Sequence, residues 1–139
     1  MNVTIDDVMM QKVTTASPDE TVGEARATML KDNFHALPVV DEAGHPVAIV
    51  TSNDLLEDVA DEMLLRDTVA HKVYTVPRYD GVHIAARLMR NHKIHHVVVT
   101  HEQKVVGVVS SFDLLQLVED HRFKMKNPST PAKRRPKKH

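Results

Sequence analysis

"HALPVVDEAGHPVAIVTSNDLL", residues 35–56, is echoed about sixty residues later by "HHVVVTHEQKVVGVVSSFDLL", residues 95–115. Each stretch reads as an apolar strand, a polar turn, a second apolar strand, then a hydroxyl and an acid three residues apart. Such self-similarity decides architecture before any single motif does, because it makes the chain two copies of one unit.

Working outward, "VTTASPDETVGEARATMLKDNFHALPVV" (13–40) lies over "VYTVPRYDGVHIAARLMRNHKIHHVVVT" (73–100). Val13 falls on Val73, Thr15 on Thr75, Val22 on Val82, Ala25 on Ala85, Met29 on Met89 and His35 on His95. After a one-residue deletion near Gln103, Thr51 falls on Ser110 and Asp54 on Asp113. Each copy opens with a short β-branched stretch, then a Pro and Asp turn, then apolar residues at helical spacing. Thr21 and Glu24 form a capping box at the start of the first helix. Two short strands follow, joined by "EAGH" in one copy and "HEQK" in the other. A second helix is expected to close each unit, over "NDLLEDVADEMLL" and "FDLLQLVED".

The predicted fold is therefore α/β (α+β), two β-α-β-β-α repeats packed about a pseudo-twofold axis. One unit of about sixty residues would leave a sheet face and helix stripes exposed. The expected boundaries are 1–62 for the first repeat with its N-terminal segment, 63–121 for the second with a linker helix, and 122–139 for a basic tail.

Composition narrows the function classes. The 139 residues carry a formal charge of −1, yet 122–139 hold eight Lys and Arg and no acid, so 1–121 stand at −9. A tail with three prolines, like charges and no periodicity is expected to be disordered. It suits a solubilising role, or a weaker alternative of nucleic-acid binding through counterion release. With no cysteine, disulfides and thiolate metal sites are excluded. No apolar run reaches membrane-spanning length and the start is acidic, so the expectation is a soluble, cytoplasmic protein. "NHKIHH" concentrates His92, His95 and His96, but neighbours in a strand point to opposite faces, and no closed zinc spacing appears; no metal is expected. No nucleophile elbow, phosphate-binding P-loop or cysteine nucleophile is present, so no enzyme activity is expected.

Thr51-x-x-Asp54 and Ser110-x-x-Asp113 are the elements that carry chemistry, and each has two readings. As helix caps, the hydroxyl satisfies an orphan amide and the acid complements the positive helix end. As ligand groups, the amides and hydroxyl attract phosphate while the carboxylate accepts the two hydroxyls of a ribose. Residues alone leave both open.

"DVMMQKVTTASPDETVGEARATMLKDNFHALPVVDEAGHPVAIVTSNDLL", with its ALPVVD strand and T-x-x-D ending, and "HKIHHVVVTHEQKVVGVVSSFDLLQLV" resemble a tandem pair of CBS domains, the modules named after cystathionine β-synthase. The resemblance covers about residues 7–120. It implies a stand-alone regulatory module binding an adenine nucleotide or adenosine derivative, in the class of AMP, ADP, ATP and S-adenosylmethionine, as a regulatory ligand with no cofactor required. The resemblance also implies two clefts shared between repeats. The first would use Thr14, Phe34, His35 and Ala36 with Ser110 and Asp113. The second would use Tyr74, Ile94, His95 and His96 with Thr51 and Asp54. Ala48 stands where Gly107 keeps the family's glycine, and His96 stands where an arginine is usual. Leu55, Leu56, Val59, Met63 and Leu64, with Leu114, Leu115 and Val118, make apolar helix stripes, part of which must pack inward while the remainder suits the homodimer face of such pairs. An effector protein would read the ligand state. A ligand-free dimerisation or adapter module, with motifs that only cap helices, is the alternative.

Overall fold

The computed structural model describes residues 3–9, 13–55, 59–68 and 72–120, and the basic tail from residue 122 lies outside them. The elements run α1 (Ile5–Val8), α2 (Val22–Asp32), β1 (Ala36–Val40), β2 (Pro46–Thr51), a 3-10 turn (Ser52–Leu55), a second 3-10 turn (Leu65–Asp67), β3 (Thr75–Pro77), α3 (Val82–His92), β4 (His96–His101), β5 (Lys104–Ser110) and α4 (Ser111–Asp120). β1 and β2 pair antiparallel, with Ala16 adding a parallel bridge to Val39. β3 pairs parallel to β4, and β4 antiparallel to β5. Among the described residues no helix is long and apolar enough to cross a membrane.

The central strands read as apolar runs because both of their faces are covered. Leu37 and Val39 face the first core with Val22, Ala25, Met29 and Val50; Val97 and Val99 face the second with Val76, Ala85, Met89 and Val109. Pro38 and Val98 sit between them in their strands and so point the other way. Both are fully buried, and β1 touches β5 across the repeats. The two sheets thus pack on each other, and the site described below opens at one end of that contact.

The capping box of α2 forms as its sequence requires: Thr21 Oγ1 accepts from Glu24 N at 3.1 Å, and Thr21 N donates to Glu24 Oε1 at 2.9 Å. Both main helices end on a left-handed residue, Asn33 at φ 57° and Lys93 at φ 55°. In the β1–β2 turn, Asp41 Oδ1 accepts from the amides of Ala43 and His45, each at 2.9 Å, and Gly44 takes φ 89°. The His45 amide foremost holds the Asp41 carboxyl below its ordinary range.

The β4–β5 hairpin turns on Glu102 and Gln103, at φ 53° and φ 71°. Two consecutive positive φ values between the paired residues His101 and Lys104 make a tight turn that prefers Asn-Gly. Gln103→Gly is expected to stabilise the protein by about 0.5–1 kcal/mol, after the extra freedom of glycine in the unfolded chain is discounted. Urea denaturation at constant m-value checks it, and a loss of stability would refute it.

The helix expected to close the second repeat forms as α4, but its counterpart in the first does not. Ser52–Leu55 make only a 3-10 turn, 56–58 lie outside the described residues, and 59–63 hold no helix. At the end of this turn Arg26 Nη2 and Nε donate to Leu55 O at 2.8 and 3.2 Å, and the guanidinium also pairs with Asp61. A carbonyl taken by a guanidinium is poorly placed to continue a helical ladder. In the second repeat Ala86 occupies the matching place in α3, and α4 runs on. The expected linker helix is likewise reduced to the turn Leu65–Asp67.

The segments leading into the two repeats are exchanged. Ile5 N donates to Asp80 O and Leu65 N to Glu20 O, each at 2.8 Å. Val82 N donates to Val3 O at 3.0 Å and Val22 N to Met63 O at 2.8 Å. The offset is sixty residues throughout, so the turn ahead of each repeat caps the helix of the other. Ile5 accordingly belongs to the second core and Leu65 to the first.

Candidate functional site: a cleft between the repeats

α2 ends at Asn33, whose left-handed backbone redirects the chain so that Phe34 N donates to Met29 O at 3.0 Å. Phe34, His35 and Ala36 then enter β1. On the other repeat β5 ends at Ser110, paired with His96, and α4 begins at once. These two corners enclose a cleft of about 590 Å³ lined by Val13, Thr14, Asn33, Phe34, His35 and Ala36 from the first repeat. His95, His96, Val108, Ser110, Ser111, Phe112 and Asp113 line it from the second. Its volume is that of a small-molecule site.

All six residues expected for the first cleft line this one space. The six expected for the second lie in different settings. Thr51 and Asp54 cap the 3-10 turn, with Thr51 N and Oγ1 donating to Asp54 Oδ2 at 2.8 and 3.0 Å. Ile94 packs against the second core. The Tyr74 ring stacks on His92 at 4.1 Å, beneath the Lys72 ammonium. His95 and His96 line the first cleft together. The expectation that they point to opposite faces does not apply, because β4 begins at His96 and His95 lies in the turn before it. There His95 O accepts from Ser111 N at 2.9 Å, and His95 Nδ1 lies 3.2 Å from Ser111 Oγ.

Ser110 and Asp113 make a reciprocal box. Ser110 N donates to Asp113 Oδ2 at 2.8 Å and Asp113 N to Ser110 Oγ at 3.0 Å. The capping chemistry is thus realised, and it also fixes the carboxylate at the cleft wall. Among the described residues, Asp113 Oδ1 accepts no hydrogen bond, which leaves an oxygen for a ligand hydroxyl. Phe112 is 77% exposed at the cleft, an aromatic face available for stacking.

Val13, Asn33, Val108, Ser111 and Phe112 line the cleft without having been singled out in the sequence. Val108 was within reach, since it lies two residues before Ser110 on the same strand face. Ser111 and Phe112 fill the first turn of the S-x-x-D motif and must border whatever its outer residues touch. Asn33 had no signal, because its place depends on its left-handed φ.

Burial pushes His96 below the ordinary histidine value; neighbouring His95, and then His35, push the same way, and only Asp113 opposes. The unfolded chain therefore binds a proton that the folded chain refuses once the pH drops below about 6.5. His96 is expected to cost no stability above that pH and to lower the thermal midpoint as the pH falls toward its folded value. His96→Gln should flatten the decline between pH 7 and 5.5 relative to the parent chain, while equal slopes in the two proteins would count against it. Among the described residues no three His, Asp or Glu side chains group as a metal ion would require.

The CBS domain family matches this sequence twice, over residues 5–61 and 65–120. The CBS domain pair of protein MJ0100, solved in complex with 5′-methylthioadenosine and S-adenosyl-L-methionine, superposes with a TM-score of 0.78 at 27% identity, over 86% of this chain and 98% of that one. The CBS domain of a CBS domain-containing membrane protein from Sphaerobacter thermophilus superposes at 0.74 with 26% identity, over 84% of this chain and 88% of that one. An uncharacterized Methanopyrus kandleri protein is 30% identical over 84% of this chain and 63% of its own length. A homoserine O-acetyltransferase of Methanosalsum zhilinae is 29% identical over 87% of this chain but only 25% of its own length. The chain thus spans from a quarter to under two-thirds of these curated relatives, and what it shares with the acetyltransferase is one part of that protein. Two matches in tandem and the pairing of the two sheets lead to one statement: the chain belongs to the CBS domain family, as a pair of CBS repeats.

Proposed function

We propose that the protein is a regulatory CBS pair that binds an adenosine-containing ligand in the cleft between its repeats and passes the bound state to a partner protein. The observation that carries this is the convergence of Thr14, Phe34, His35 and Ala36 with Ser110 and Asp113 on one cleft. The apolar walls, Val13, Phe34, Val108 and Phe112, suit a purine, and the Asp113 carboxylate suits ribose hydroxyls. The adenosine compounds held by the MJ0100 pair support the same ligand class. The proposed role is binding without catalysis.

Calorimetric titration of AMP, ADP, ATP, S-adenosylmethionine and 5′-methylthioadenosine into the full chain tests the reading. Saturable binding by at least one is expected, and silence toward all of them would overturn it. The adapter alternative is favoured by one observation, that both S/T-x-x-D motifs make cap hydrogen bonds within their own turns. It predicts that silence.

Homodimerisation is part of the proposal. Leu115 and Val118 are more than half exposed on one side of α4, an apolar stripe suited to a second copy.

A further inference from the structure

We infer that the cleft selects adenosine derivatives that lack a phosphate, neutral or cationic at their 5′ end, over adenine nucleotides. This rests on the reading of the cleft as the adenosine site. Three independent features of its wall lead there.

The first is fixed charge. Among the described residues lining the cleft there is no Lys or Arg, and the one acidic side chain is that of Asp113. Among the described residues, a phosphate entering this space meets a like charge and no fixed cation, while a sulfonium or ammonium meets an opposite one.

The second is the state of the α4 N-terminus. Helix starts hold phosphate through free amides. Here the Ser111 amide is given to His95 O, the Asp113 amide to Ser110 Oγ, and the Ser110 amide to the Asp113 carboxylate, so that among the described residues only the Phe112 amide of this first turn keeps no partner. The anion that this helix end would attract is already supplied by the chain. A nucleotide phosphate would find one free amide with that carboxylate beside it, whereas a ribose diol only has to add to the carboxylate.

The third is the histidine cluster. His35, His95 and His96 are the remaining titratable lining groups, and imidazoles placed close together disfavour one another's protonation. Burial of His96 foremost, and then the proximity of His95 and His35, act in that direction against the opposing pull of Asp113. His96 thus presents a hydrogen-bonding imidazole, held below the ordinary histidine value, where a phosphate needs a cation.

The test is a ranking of dissociation constants on the full chain at pH 7.5, for 5′-methylthioadenosine, S-adenosylmethionine, AMP and ATP. The first two are expected to bind at least about tenfold more tightly than the nucleotides, equal to about 1.4 kcal/mol. Nucleotides binding as tightly or more tightly would overturn the inference while keeping the cleft as an adenosine site. Silence toward all four would overturn both this inference and the reading beneath it.

A charge-introducing variant gives a second, independent check. Asn33 lines the cleft at φ 57°, and Lys93 takes φ 55° at the matching point of the second repeat, so lysine adopts this backbone within the same chain. Asn33→Lys is expected to shift the AMP to methylthioadenosine affinity ratio about tenfold toward AMP. An unshifted ratio would mean that charge does not set the preference.

Discussion

Asp113→Ala is expected to abolish measurable binding of the adenosine ligand while lowering stability by only about 1 kcal/mol. The two effects come from two different jobs of one carboxylate. As a capping group, Asp113 Oδ2 takes the Ser110 amide at 2.8 Å, and loss of such a contact typically costs about 1 kcal/mol. As a ligand group it would accept two ribose hydroxyls, each a hydrogen bond to a charged acceptor of about 1.5–3 kcal/mol. Losing both lowers affinity by at least roughly a hundredfold. Asp54 provides the control, because its Oδ2 likewise accepts from the amide three residues earlier, that of Thr51 at 2.8 Å, and also from Thr51 Oγ1 at 3.0 Å, but it does not line the cleft. Asp54→Ala should show the stability loss and retain binding in the first cleft. Calorimetry and urea denaturation on both variants decide the matter. If Asp113→Ala bound ligand as the parent does, the carboxylate would be a cap alone, and the adapter reading would gain what the sensor reading lost.

This pairing also shows what the sequence could express. Thr21 and Glu24, Thr51 and Asp54, and Ser110 and Asp113 are local arrangements three residues apart, and all three form as read. The repeat told which residues are equivalent, and therefore which corners face one another across the pseudo-twofold. What it could not express depends on contacts between distant residues. The absence of helix over 59–63 goes with the hold of Arg26 on Leu55 O, twenty-nine residues apart in sequence, and nothing in "NDLLEDVADEMLL" itself opposes a helix. His95 and His96 came to share a cleft because the strand begins one residue later than alternation assumed. That the described residues lining the cleft include no Lys or Arg was visible only once Asn33, Ser111 and Phe112 were placed beside the motif residues.

The exchange of leading turns carries the largest expected effect on stability. Leu65 is 2% exposed and Ile5 0%, each inside the core of the repeat that its sequence position does not belong to. Leu65→Ala and Ile5→Ala are each expected to cost about 2–5 kcal/mol, the range for truncating a buried aliphatic side chain, and to lower the thermal midpoint by on the order of 10 °C. The distinctive part is where the loss appears. Leu65 fills the first core, yet the same segment continues into β3 of the second repeat, and Ile5 ties the N-terminal segment to α3 through Asp80. Each repeat thus finishes the other's core and supplies backbone acceptors to the other's helix start. Unfolding is therefore expected to remain a single transition in both variants. Amide exchange in β4 and β5 should accelerate in Leu65→Ala by the same factor as in β1 and β2. A chain cut after residue 62 is expected not to fold cooperatively, because a unit of that size is marginal even with its core complete and this one would lack Leu65. Retained protection in β4 and β5 of Leu65→Ala would show that the repeats unfold separately. A ligand bridging them would then have to create the coupling; in an exchanged pair the coupling exists beforehand, and binding between the repeats acts on one body.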